Sequence, residues 1–231
     1  MLDQAFDALR TYDWGADPKV LSPINEAVVA THGNAAARQE LEARLAAVLP
    51  TDATRDAKDF VCRQLMVIGT AASVPALTQL LMDANLSHMA RYALERIPAP
   101  EAAQALRDAL PKLSAVLKVG AIASLGVRGE TDSVPDLAQL LDDADDTVAS
   151  AAALALGAIR GAAAARALTS AKPRAEVKPA ITDASLACAE SLLKDGQKTA
   201  ALAIYKAVSA GDPPKHVRLA ATRGMLACAG G

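Results

Sequence analysis

One stretch of this chain keeps returning, and its returns limit the fold more than any other feature. In LGVRGETDSVPDL, Leu125 to Leu137, a leucine closes one helix, a glycine four residues on supplies a turn, and a second leucine twelve residues on enters the apolar face of the next helix. Val29, Leu65, Leu94, Leu125, Leu156 and Leu192 each have an apolar residue twelve places later, namely Leu41, Leu77, Leu106, Leu137, Leu168 and Ile204. Successive anchors stand 36, 29, 31, 31 and 36 residues apart. Gly33, Gly69, Pro98, Gly129 and Gly196 follow five of them by four residues, and Arg160 with Gly161 stands at the sixth. Glycine accepts the left-handed backbone that ends a helix and proline lacks the donor that would continue one, so this column reads as helix ends. A period in the 30s with two amphipathic helices per unit describes a stacked array in which no unit hides its apolar stripe alone.

Composition agrees with helices. Apolar residues make up 52% of the 231 but aromatic ones only 3%, so the core must be built from Leu, Val, Ile and Ala. The β-branched and aromatic runs that strands favour are missing. A net charge of -2 supplies no bulk field for nucleic acid or anionic lipid, so neither is expected as a partner. Cys62, Cys188 and Cys228 lie far apart in apolar helical stretches with no CxxC, and read as buried free thiols. The opening MLDQAFDALRTYDWG has no basic head and apolar run, and no apolar stretch reaches the ~18 residues of a membrane span, so a cytoplasmic location is the expectation. A removed leader would leave the same sequence.

Along the chain, residues 2 to 11 predict a short helix outside the period, which would cap the open apolar end of the array. The turn after it carries Trp14. Asp17 and Pro18 predict the start of a second helix running to Thr31. Helix pairs then follow at about 36 to 49 and 53 to 68, 73 to 83 and 87 to 97, 101 to 110 and 113 to 127, and 132 to 142 and 146 to 159. Ser73 with Pro75, and Ser87, are expected to begin helices by the capping rules. The next pair is the Ala-rich GAAAARAL and a long helix at about 175 to 194, in which Pro179 must fall near the first turn or make a kink. The last pair, about 197 to 209 and 214 to 228, also looks like a tetratricopeptide pair, with small residues facing a tyrosine.

The stretches CRQLMVIGTAASVPAL, AIASLGVRGETDSVPDL and AALALGAIRGAAAARAL resemble bacterial HEAT-like repeats of the kind found in phycobilin lyases, in which an Ala-Leu-Gly helix end precedes a Val-Pro-x-Leu helix start. The resemblance covers residues 62 to 168 well and the rest by period. It implies an all-α fold, a right-handed α-solenoid of about six HEAT-like helix pairs with an N-terminal capping helix. The expected division of the single domain is 1–34 for the cap and first helix, 35–171 for HEAT-like repeats, and 172–231 for divergent C-terminal repeats. It also implies that second helices line a concave side where a ligand docks. Those helices carry a modest basic excess, which suits an acidic protein segment or an anionic small molecule, while a solvated face with scattered charges would look the same.

Chemistry is mostly missing. The histidine-glutamate pairs that hold the di-iron centre of HEAT-repeat hydroxylases are absent, since His32, His88 and His216 are followed by Gly33, Met89 and Val217. No metal spacing, phosphate loop or Ser-His-Asp set can be assembled, so neither a metal nor a cofactor is expected. The aromatics that a nucleic-acid cleft would need, Tyr12, Trp14, Tyr92 and Tyr205, are scattered. The best cluster is His88, Arg91, Tyr92 and Glu95, on one face of an inner helix, with Lys118 on the next; the plainer reading packs Tyr92 between repeats. Two functions follow: a non-catalytic interaction or scaffold module binding a protein partner on its concave face, or an enzyme or enzyme subunit, lyase-like and acting on a chromophore or sugar, that uses His88, Tyr92 and Cys62. Lys58 and Arg63 could lower the Cys62 thiol, whereas Val61, Leu65 and Met66 argue for its burial.

Overall fold

The computed structural model describes residues 1–211 and 213–230, and every regular element among them is a helix. They are α1 (Leu2–Leu9), α2 (Ser22–Ala30), α3 (Ala35–Ala46), α4 (Arg55–Ile68), α5 (Val74–Gln79), α6 (Ser87–Arg96) and α7 (Pro100–Ala109). There follow α8 (Ala115–Arg128), α9 (Val134–Gln139), α10 (Asp146–Ile159), α11 (Gly161–Ser170), α12 (Lys178–Lys194), α13 (Lys198–Ala210) and α14 (Lys215–Ala229). Short 3-10 turns lead into α2, α5 and α9 and finish α5, α7 and α9. No helix among the described residues is long and apolar enough to cross a membrane.

The chain divides into two compact units, Met1–Ala121 and Ile122–Gly231, with the dividing line inside α8. In the first, α1 packs on α2, α3 on α4 and α5 on α6, while α4 meets α6 and α5 meets α7. In the second, α9 packs on α10 and α11 on α12, while α9 meets α11 and α10 meets α12. Each unit thus stacks helix pairs in two layers, the α-solenoid pattern that the period predicts.

The anchors explain why. Leu65, Leu94, Leu125, Leu156 and Leu192 are buried, as are all six of the residues twelve places on. Val29 is the exception at 75% exposed, because α2 turns Ile24 and Val28, one place earlier, inward. In α10 the residue after the anchor, Gly157, sits where α12 comes closest: a β-carbon there would lie 2.8 Å from the Ala184 α-carbon. Gly126 meets Ala155 of α10 in the same way, at 2.9 Å. The Ala-Leu-Gly helix end is therefore a contact rule as well as a stop, since only a hydrogen side chain lets the two backbones approach this far.

The stops themselves vary. Gly129 takes φ +71 as expected, but Gly69 ends α4 in extended backbone at φ -62 and ψ 148. At the sixth place Arg160 is held at φ 64 and ψ -162, a region that glycine occupies freely and other residues rarely do. Asp17 accepts from the Lys19 amide as a cap, but of a 3-10 turn, Pro18–Leu21, and α2 itself begins only at Ser22; Pro179 falls in the first turn of α12. The serines stand where helices begin, Ser73 at the N-cap place of α5 with Pro75 in its first turn and Ser87 as the first residue of α6, but without side-chain cap bonds. Ser87 lies inside α6 after an uncapped Leu86, and Ser73 gives its hydroxyl to Glu42.

Candidate functional site

The sequence sets His88, Arg91, Tyr92 and Glu95 at spacings of three and four, which on a helix is one face. The opposite face of α6 buries Ala90, Ala93 and Leu94, so the polar four are left at or near the surface: His88 exposed and the other three half-buried. Three of them touch. Arg91 Nη2 lies 3.0 Å from His88 Nδ1, a contact in which the guanidinium can only donate. The His88 ring stands edge-on to Tyr92, with centroids 4.5 Å apart and planes at 79°. The Arg91 guanidinium carbon lies 4.7 Å from the Tyr92 centroid, a cation–π contact.

The neighbouring helix completes the setting. At Gly120 of α8 a β-carbon would come 2.8 Å from Arg91 Nε, so the absent side chain makes room for the arginine to lie along the helix. Lys118, half-buried, is two residues before it, and Arg91, Glu95 and Lys118 each have further interactions of their own. Sequence reasoning found the α6 residues because their geometry is local. It missed Gly120, whose role depends on how two repeats pack.

The other candidates separate. Cys62 is completely buried, and desolvation, followed by the negative charge of Asp59, pushes its thiol up to about 12, which keeps it protonated and rules it out as a nucleophile. Lys58 and Arg63 do not reverse this; Arg63 is paired with Asp59 at 2.8 Å. Cys188 is buried and Cys228 half-buried, all three thiols being free. Of the aromatics, Tyr12 and Trp14 share a 480 Å³ hollow with Arg55 and Arg63, and Trp14 is 94% exposed. Tyr205 is buried, its ring against Gly224 of α14. Among the described residues no group of three His, Cys, Asp or Glu is placed to hold a metal.

A second polar cluster escaped the sequence reading. Glu42, 2% exposed, accepts from the Thr70 amide at 2.7 Å, from the Thr70 hydroxyl at 2.9 Å and from the Ser73 hydroxyl at 2.5 Å. One turn earlier on α3, Arg38 Nε donates to the Ile68 carbonyl at 2.8 Å. These are structural contacts: a cation meets the carbonyl end of α4 and an anion meets the amide end of the turn into α5.

Comparison with known proteins adds a repeat family over part of the chain and little more. No curated protein matches the chain. A solved structure titled human deoxyhypusine hydroxylase in complex with glycerol is 18% identical, over 99% of this chain and 96% of that one, with a TM-score of 0.41. Residues 112–185 match the family model for HEAT repeats, so the chain carries HEAT-like repeats from the start of α8 into α12.

Proposed function

We propose that the protein is a non-catalytic interaction module that binds an acidic segment of a protein partner through the α6 face, with Arg91 as its main contact and His88, Tyr92, Glu95 and Lys118 around it. One observation carries this reading: Arg91 rests against His88 and Tyr92 in the space that Gly120 leaves. A guanidinium already held in place loses less freedom on meeting a carboxylate, and its planar fork suits that group. The packing of α6 against α4, α5 and α7 supplies a frame for such a face. The lyase-like alternative loses the thiol it would need, since Cys62 is covered and protonated.

The test is fluorescence anisotropy with a labelled glutamate-rich peptide at low salt. The wild type should bind, and Arg91→Glu should weaken binding by about tenfold or more, with Lys118→Glu adding to the loss. Lys172→Glu, outside the face, should leave binding nearly unchanged. Equal loss in all three variants would mean unspecific charge attraction, and unchanged binding in Arg91→Glu would remove the site.

A further inference from the structure

The second unit holds a separate hollow of 510 Å³ between α12, α13 and the start of α14. That volume is within the ~300–1,000 Å³ of ordinary small-ligand pockets. Ile181, Ile204 and Val217 form an apolar floor, each less than a tenth exposed, and Ser185, 5% exposed, adds a hydroxyl to it. Pro173, Pro179 and Pro214 stiffen the surround. Among the described residues no Phe, Tyr or Trp lines the hollow, so it suits a flexible aliphatic body better than a flat one.

Charge decides what accompanies that body. From Gly196 to the end the sequence has Lys198, Lys206, Lys215, Arg218 and Arg223 against a single acid, Asp212, in a chain whose net charge is -2. Lys178 lines the hollow with its ammonium 3.5 Å from the Gly211 carbonyl, and His216 lines it too. Arg218 reaches the Pro213 carbonyl, also on its wall, at 3.4 Å. Asp183 is the lining residue of opposite sign, and it is exposed. An apolar trough set in a locally basic pair of helices fits a molecule with one aliphatic tail and one anionic head.

We infer that this hollow is a binding site for a single-chain amphiphilic carboxylate, with the tail on Ile181, Ile204 and Val217 and the head toward Lys178 and His216. It belongs to the second unit and does not depend on the function proposed for the α6 cluster.

The test titrates the full chain with dodecanoate and with dodecanol, both below their aggregation concentrations, by calorimetry. Dodecanoate should bind one to one. Ala207→Phe, an exposed lining position filled with a ring, should weaken both probes by about tenfold or more. Lys178→Glu should weaken dodecanoate by about tenfold and dodecanol much less. Equal binding of both probes in both variants would overturn the site, as would binding to phosphatidylglycerol vesicles without binding of free dodecanoate. If Ala207→Phe does not fold, Lys178→Glu alone decides: the same loss for both probes, or no loss for either, contradicts the proposal.

Discussion

Arg160 occupies a place in the repeat that glycine holds in most of the others, and its backbone shows the mismatch. At φ 64 and ψ -162 a side chain crowds its own carbonyl, a conformation that costs about 1–3 kcal/mol for anything but glycine. Arg160→Gly should therefore raise the urea midpoint, by a gain of about 1 kcal/mol after the unfolded chain's added freedom is allowed for. An unchanged or lower midpoint would show that the arginine earns its place through contacts instead. The thiols make a second prediction at this scale. Burial raises Cys62 to about 12 and Cys188 to about 11 from an ordinary 9. As pH rises past the ordinary value the unfolded chain gives up these protons while the fold retains them. The unfolded state then binds fewer protons, and stability must fall with pH until the folded values are reached. Urea titrations from about pH 8 to about pH 10 should show this fall in the wild type and a shallower one in Cys62→Ala. Identical slopes would contradict the burial of Cys62 as an ionisation barrier. Burial of Cys62 was legible beforehand, because Val61, Leu65 and Met66 surround it in sequence.

Among the elements, α3 does the least expected work. On the sequence Arg38 and Glu42 look like an ordinary surface pair one turn apart, yet they hold the two ends of the linker between α4 and α5. Their partners, Ile68, Thr70 and Ser73, lie 28 to 31 residues away, so no local pattern announces them. The same distance explains why Ser73 makes no cap bond: its hydroxyl is turned to donate to the buried Glu42 carboxylate, 31 residues away in sequence, and it accepts from no amide of α5. Glu42→Ala should cost about 1–3 kcal/mol or more by stranding the Thr70 amide and two hydroxyls, seen as a lower urea midpoint. A change under about 0.5 kcal/mol, the range of surface positions, would place Glu42 in solvent instead. By contrast, the α6 cluster was readable because His88, Arg91 and Tyr92 are neighbours on one helix. Gly120 was not, because it acts through an approach between repeats.

At the scale of the whole chain, the period was the most legible feature, since stacking repeats its demands at regular intervals. Leucines that close helices at 65, 94, 125, 156 and 192 all became core. The slip at Val29 lies at the edge of the array: α2 is entered through a 3-10 turn, Pro18–Leu21, and its inward stripe falls on Ile24 and Val28, one residue before the anchor place. Function was far less legible than fold, because the repeat spends its regularity on burial and leaves the polar faces free to vary. The basic C-terminal pair shows the same thing, since a net charge of -2 for the chain conceals it.

The central claim is that each helix pair buries its stripe against the next in one register, and a leucine series measures this most directly. Urea unfolding should be compared for Leu65→Ala, Leu94→Ala, Leu125→Ala, Leu156→Ala and, as an internal control, Val29→Ala. Each leucine variant should lose about 2–5 kcal/mol, as for a filled core position emptied by a large truncation. Val29→Ala should change stability by less than about 0.5 kcal/mol. A leucine that can be removed at no more cost than Val29 would contradict the register and the stacked repeat built on it.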